Sequence, residues 1–138
     1  MNPEAGVGVI PSTRIVRMTT KEIATKLVEL CSVGNFHEAL ESLYSPAIVS
    51  VEASAPPGGS REATGIDAVR GKGQWWQENH EVHSAKVEGP LVAGDIFAVA
   101  FIMDVTFKPA SKRHTMEEIA VYHCADGKIV REEFFYKM

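Results

Sequence analysis

The sequence has few cysteines, no long apolar run and no cluster of basic residues. Its two cysteines, Cys31 and Cys124, form neither a Cys-x-x-Cys pair nor a metal-ligand spacing, which argues against a disulfide framework and a cysteine zinc site. No stretch approaches the roughly 18 apolar residues of a membrane helix. A formal net charge of −4 without a basic run argues against nucleic acid as a partner.

The N-terminus also lacks the charged and apolar segments of a signal peptide, so a cytoplasmic protein with no membrane partner is expected. The composition is that of a globular protein, with 138 residues, 45% of them hydrophobic and 23% charged. A chain of this length buries about two-thirds of its unfolded surface, which is enough for one core. We therefore expect a single domain over residues 19–138. Residues 1–18 contain two prolines and two glycines and are expected to form an extended arm.

Helical and strand patterns occupy different parts of the chain. Thr19 and Glu22 have the spacing of a capping box, and Gly34 is placed to end the helix that follows. Apolar residues at helical intervals predict helices over residues 19–33, 35–43 and about 65–79. Alternating, β-branched segments predict strands over residues 48–54, 81–88, 95–108, 114–124 and 128–136. Because helices precede a meander of strands, we expect an α+β fold in which a curved antiparallel sheet wraps around three N-terminal helices and encloses a pocket.

Four motifs support a family resemblance. They are Leu43-Tyr44 before a strand, the Gly-x-x-Ala segment within Thr64–Val69, Met116–Tyr122 and Asp126–Val130. In this order they resemble the SnoaL-like polyketide cyclase group of the nuclear transport factor 2-like superfamily, which has a cone-shaped, cystatin-like fold. The resemblance covers the chain from about residue 20 onward. The superfamily contains isomerases, cyclases, dehydratases, hydrolases and proteins without chemistry, so the fold alone does not choose a function.

Glu52 is the first candidate catalytic residue. The resemblance to ketosteroid isomerases, which place an aspartate on the strand after a Leu-Tyr helix end, implies that Glu52 is a general base when positions are counted from Tyr44. A carboxyl group in an apolar pocket has a raised pKa, which suits it to act near neutral pH. The alternative is a solvent-facing glutamate at a strand edge.

Glu118, Ala120 and Tyr122 share one face of a predicted strand. The resemblance implies that Ala120 occupies the place of the acid in the isomerases' oxyanion hole, so steroid isomerisation is not expected. Glu118 and Tyr122 flank this gap and could donate a proton from the same wall. A strand tyrosine equally fits a core position whose hydroxyl is satisfied by a neighbour.

Asp104 and His83 are further candidates. Asp104 interrupts an almost uncharged strand, which indicates a functional carboxylate, an ion pair with Lys112 or Arg113, or the point where the strand leaves the core for solvent. His83 could face the pocket as an acid or base, or could be a partly exposed structural residue. The pair His80 and His83 is one residue short of the zinc-protease motif, so no metal is expected there.

The aromatic residues predict both a pocket and a partner. Trp76 and Phe134, together with Ala120, are expected to line the substrate pocket. The last strand carries Phe134 on one face and Phe135 on the other, so the sheet needs a cover on both sides. A homodimer packed sheet to sheet, as the resemblance implies, would supply the second cover.

Two functions remain open from the sequence. The first is an isomerase, cyclase or dehydratase that moves a proton on a small apolar carbonyl compound, with Glu52 as base and Tyr122, Glu118 or His83 as donor. It would need no cofactor, because these groups can move protons unaided. The second is a non-catalytic ligand-binding or dimeric association domain of the same fold.

Overall fold

A computed structural model describes residues 17–137, so the predicted arm lies outside the described residues up to residue 16. The helices of this part are α1 (Thr20–Ser32), α2 (Phe36–Leu43) and α3 (Ile66–Asn79). The strands are β1 (Tyr44–Val51), β2 (Glu62–Thr64), β3 (His80–Ala93), β4 (Ile96–Phe107), β5 (Lys112–Ala125) and β6 (Lys128–Phe135), with a short 3₁₀ helix at Lys108–Ala110. The α+β fold predicted from the sequence is confirmed.

The start of α1 shows how local sequence sets an element. Thr19 Oγ1 accepts a hydrogen bond from the Glu22 amide at 3.1 Å, and Glu22 Oε1 accepts one from the Thr19 amide at 2.8 Å. This is the predicted capping box, which satisfies two of the amide groups that a helix start leaves unpaired. After the helix, Gly34 has a φ of 81°, a conformation that glycine adopts without strain.

The six strands form one curved, unclosed sheet in the order β2-β1-β6-β5-β4-β3. Neighbouring strands are antiparallel except β1 and β6, which pair in parallel. The expected antiparallel sheet is therefore a mixed one. The reason is that β1 and β6 are joined by most of the chain rather than by a hairpin turn, so no local connection fixes their relative direction.

The largest differences from the predicted strands are in β1, β2 and β3. β1 begins at Tyr44, directly after α2, and ends at Val51. The short β2 was not predicted and pairs with β1 at the sheet edge. β3 continues past its predicted end at residue 88, because the register shift between Glu88 and Leu91 is a bulge in a strand that runs on to Ala93.

The core lies between the helices and one face of the sheet, which we call the inner face. Fully buried apolar side chains of α1, such as Ile23 and Leu27, pack in one cluster with Phe97 of β4. Ser50 and Glu132 are the polar residues buried with this core in the described part of the chain, with exposed fractions of 0% and 3%. No helix between residues 17 and 137 has the length and apolar character needed to cross a membrane.

Candidate functional site

The site is built around the buried carboxyl group of Glu132. Glu132 lies on β6 directly opposite Ser50 of β1 and Tyr122 of β5. The Tyr44 hydroxyl donates to Glu132 Oε1, and the Ser50 hydroxyl donates to Oε2 at 2.6 Å. Burial raises the pKa of Glu132, and the hydrogen bonds from Ser50 and Tyr44 oppose that rise. Both oxygens therefore have donors, as a carboxyl group at this depth requires.

Lys72 connects this buried acid to Glu52. It lies on α3, three residues after the buried Val69, so its side chain follows the helical stripe that faces the sheet. The Lys72 ammonium donates to Ser50 Oγ at 2.6 Å and to Glu52 Oε2. It also lies 5.2 Å from the centroid of the Phe134 ring, within the range of a cation–π contact.

Glu52 follows the last residue of β1 and is engaged at both oxygens. Its Oε2 accepts from Lys72, and its Oε1 accepts from the Tyr136 hydroxyl at 2.7 Å. We call the connected set the inner network, and its members are Tyr44, Ser50, Glu52, Lys72, Glu132 and Tyr136. The side chains of Lys72 and Glu52 retain exposed fractions of 29% and 28%, so this end of the network is open to solvent.

Glu118 lies beside the inner network and has a strongly shifted pKa. It is on the inner face of β5, directly opposite Phe101 of β4. Burial raises its pKa from the ordinary 4.5 to about 7, the charges of Glu52 and Glu132 add to the rise, and Lys72 opposes it. Within residues 17–137 no side-chain hydrogen bond occupies Glu118. With a pKa of about 7, this carboxyl group can both take up and release a proton near neutral pH.

The residues predicted beside Glu118 are also on the inner face. Ala120 is fully buried and lies directly opposite Phe134. Tyr122 is 2% exposed and stacks on Phe97, with ring centroids 4.7 Å apart. Burial, followed by the charge of Glu132, raises the Tyr122 pKa well above its ordinary value. Tyr122 thus packs within the core, while Glu118 is the more accessible of the two residues that flank Ala120.

Asp104 and His83 lie apart from this cluster. Asp104 accepts hydrogen bonds from Arg113 at 3.0 and 2.8 Å, and this pairing lowers the Asp104 pKa. Strand alternation places Asp104 and Thr106 on the outer face, opposite to the inner network. His83 sits at a register shift of β3, and its Nε2 is 2.7 Å from Thr106 Oγ1. The structure therefore does not bring either residue to Glu52, and the ion pair with Arg113 is the alternative that it shows for Asp104.

Comparisons with known proteins identify the family. A family model described as a SnoaL-like domain matches residues 18–136. The chain belongs to the SnoaL-like domain family. This confirms the resemblance inferred from the sequence. No curated protein matches the chain.

Solved structures agree with this assignment. A Mesorhizobium loti protein, described as a candidate SnoaL-like polyketide cyclase and as a carbohydrate phosphatase, is 45% identical, with a TM-score of 0.82 over 86% of this chain and 100% of that one. A candidate isomerase from Bacillus subtilis is 17% identical, with a TM-score of 0.72 over 87% of this chain and 90% of that one. A protein of unknown function with a cystatin-like fold from Xanthomonas campestris is 18% identical, with a TM-score of 0.71 over 88% of this chain and 92% of that one. The last two show the shared fold.

Several members of the inner network in this SnoaL-like domain were missed in the sequence. Tyr44 served there only as the position from which Glu52 is counted, and Ser50, Lys72, Glu132 and Tyr136 were not predicted as site residues. A signal for Lys72 was present, because it lies four residues before Trp76 on the same helical stripe. Glu132 shares a strand face with Phe134, which also marked it as inward facing.

Replacement of Glu118 by Gln is expected to change how stability depends on pH. The folded-state pKa of Glu118 is raised from 4.5 to about 7, so its contribution to stability is present below pH 4.5 and is lost as pH rises through about 7. Gln carries no charge at any pH. Urea unfolding should therefore show Glu118→Gln gaining about 2–3 kcal/mol relative to the unmodified protein between pH 4.5 and 8. Glu117→Gln, at an exposed position one residue away, is the control, and equal pH profiles for both variants would contradict the assignment.

Proposed function

We propose that this SnoaL-like domain is a cofactor-independent enzyme of isomerase, cyclase or dehydratase type, which moves a proton on a small, largely apolar carbonyl compound. The proposal rests on the carboxyl group of Glu118, which has a pKa of about 7 and no side-chain hydrogen bond within the described chain. The ammonium group of Lys72 is near enough to influence that pKa. A general acid or base is most effective when its pKa lies near the operating pH. The cyclase description of the Mesorhizobium loti relative and the isomerase description of the Bacillus subtilis neighbour support the reaction class.

In the proposed reaction, Glu118 exchanges a proton with substrate carbon. The Glu118 carboxylate removes a proton from the carbon next to the carbonyl, and the C–H electron pair shifts to form an enolate. An ammonium group has three N–H donors, and Lys72 uses one on Ser50 and one on Glu52. The third can stabilise the enolate oxygen where its negative charge develops. Glu118 then returns the proton to another atom of the substrate, which completes an isomerisation without a net redox change.

Glu52 has a different role in this proposal from the one that the sequence suggested. Both of its oxygens already accept hydrogen bonds, from Lys72 and Tyr136, whereas Glu118 has none within the described chain. We therefore infer that Glu52 holds Lys72 in position and that Glu118 is the acid and base. His83, Asp104 and the core-packed Tyr122 have no part in the proposed proton transfer.

The surroundings favour an uncharged substrate. Three carboxyl groups, those of Glu52, Glu118 and Glu132, surround the single ammonium of Lys72, so an anionic ligand would be repelled. Phe134 and Trp76 pack at the margin of the core and offer apolar surface beside these groups. A small, neutral and mainly apolar carbonyl compound meets both conditions.

Replacement of Glu118 by Gln is expected to slow carbon–hydrogen exchange by about 10²–10⁴-fold, because the amide cannot accept the proton. The measurement incubates the protein in D₂O with a panel of cyclic and aromatic ketones and follows loss of the α-proton signals by NMR. With the unmodified protein, the rate should rise with pH through about 7, as Glu118 ionises.

Glu117→Gln serves as the control for this experiment, because Glu117 is exposed and points away from the inner face. Exchange at the full rate in Glu118→Gln would contradict the catalytic role. Ketones that bind without exchange would favour the alternative function, a non-catalytic ligand-binding domain. A phosphate ester in the panel tests whether this protein has the phosphatase activity named in the description of the Mesorhizobium loti relative.

We also propose that a second copy of the chain covers the outer face of the sheet. Phe135, Ile119 and Ala100 are direct partners across three neighbouring strands of that face. Phe135 and Ile119 remain 50% and 51% exposed, and Ile96 of the same face is 37% exposed. A contiguous apolar row of this kind is typical of an association surface, and the sheet is open to the same row of another copy.

Replacement of Ile119 by Lys is expected to dissociate such a dimer, because it places a charge at the centre of the apolar row. In sedimentation equilibrium, the unmodified protein should have twice the chain mass of 15.1 kDa, and the variant should have the single mass. Val33→Lys, at a position that is 73% exposed at the end of α1, should remain dimeric. A monomeric unmodified protein would refute the proposed partner.

A further inference from the structure

Two glycines lie in the middle of α3, at positions 71 and 73. Glycine is one of the least favourable residues in a helix interior, because its backbone loses the most freedom on folding. A Cβ atom added to Gly71 or Gly73 would meet no heavy atom within 4 Å in the described chain, so close packing does not require a glycine there. Neither residue has a positive φ. The helix is therefore weakened at this turn without a gain in packing or in turn geometry.

The turn that contains these glycines is anchored on both sides. Before it, Val69 is buried, and Arg70 donates to both carboxylate oxygens of Glu41 on α2 at 2.6 and 3.0 Å. After it, the Trp76 ring stacks on the His80 ring, with centroids 4.2 Å apart. We therefore expect any opening of α3 to be confined to the turn between these two anchors.

Lys72 is the residue of this turn that reaches the inner network. The positions around it, 71 and 73–75, are exposed. The Lys72 ammonium donates to Ser50 and Glu52, and Ser50 is fully buried beneath it. The same ammonium lies 5.2 Å from the centroid of the Phe134 ring. Opening of the turn would withdraw Lys72 from these contacts and uncover this end of the inner face.

Glu118 lies at the same end of the inner face. It is two residues before Ala120, whose direct partner on β6 is Phe134, the residue over which Lys72 lies. We propose that residues 71–75 form a gate, which opens to admit a ligand to Glu118 and closes to return Lys72 to the inner network. The identity of the ligand rests on the proposed function, whereas opening of the gate is a property of the free protein.

Hydrogen exchange of the backbone amides, followed by NMR, measures how often the turn opens. In the unmodified protein, the amides of residues 73–75 should exchange about tenfold faster, or more, than those of Arg70 and Glu78. This difference should not depend on low concentrations of urea, because opening of one turn exposes little surface. A helix without a gate frays from its ends and is most protected in its middle. That order of protection would overturn the proposal.

Substitutions in the turn should change its opening in opposite directions. Gly71→Ala and Gly73→Ala should each slow exchange of the amides of residues 73–75 by about fivefold, because alanine favours the helix. Lys72→Met should speed it, because the closed turn loses its polar contacts. Gln77→Ala is the matched control at an exposed position of the same helix, where the change in helix propensity is small. Unchanged exchange in both glycine variants would contradict the gate.

Access to Glu118 is measured by carbodiimide coupling of an amine to carboxyl groups, with tandem mass spectrometry to resolve each site. The double variant Gly71→Ala, Gly73→Ala should slow labelling of Glu118 by about 25-fold. Labelling of Glu117, its exposed neighbour, should not change. Slower amide exchange with unchanged labelling of Glu118 would overturn the gate. If labelling responds as expected and no ketone exchanges its α-protons, the gate is supported and the proposed function fails.

Discussion

The structure depends on how the carboxyl group of Glu132 is accommodated beneath the helices. At 3% exposure this group is stable only if both of its oxygens find donors. The parallel pairing of β1 with β6 places Ser50 directly beside it, and the hydroxyl of Tyr44, the first residue of β1, donates to its other oxygen. The irregular start of β1 and the mixed sheet are thus linked to one buried acid.

The same hydrogen bonds determine the positions of the groups nearer to solvent. Ser50 donates to Glu132 and accepts from Lys72, so the buried acid fixes the place of the ammonium group through one hydroxyl. The Lys72 ammonium in turn donates a hydrogen bond to Glu52, and Glu52 also accepts one from the Tyr136 hydroxyl. Glu118, which has no side-chain hydrogen bond between residues 17 and 137, is buried close to these acids, and burial followed by their negative charge raises its pKa. We assign the acid–base role to Glu118 because Glu52 and Glu132 already accept hydrogen bonds from side chains and Glu118 does not within the described chain.

The sequence predicted much of the fold because its signals are local. The capping box at Thr19, the three helices and the placement of Glu118, Ala120 and Tyr122 on one face all follow from short-range spacing. The four sequence motifs also predicted the family that the SnoaL-like domain model confirms.

The contacts of the inner network could not be predicted from the sequence, because they join segments that are far apart in the chain. Glu132 contacts Ser50 only because β6 lies next to β1 in the sheet. These strands are far apart in the chain, so no hairpin turn in the sequence predicts that they are neighbours. Alternation also fails at a bulge, as the register shift beside His83 shows. For Asp104, a charge in an apolar run, the sequence left a functional carboxylate and an ion pair open, and the structure shows the ion pair with Arg113 on the adjacent strand.

Burial, together with the charges of Glu52 and Glu132, raises the pKa of Glu118 to about 7, and the proposed chemistry depends on this shift. The most direct measurement is the pH titration of its carboxyl carbon by ¹³C NMR in the unmodified protein, in Glu52→Gln and in Lys72→Met. We expect a midpoint of about 7, a lower one when the negative charge of Glu52 is removed and a higher one when the positive charge of Lys72 is removed. A midpoint near the ordinary 4.5, unchanged in both variants, would contradict this expectation.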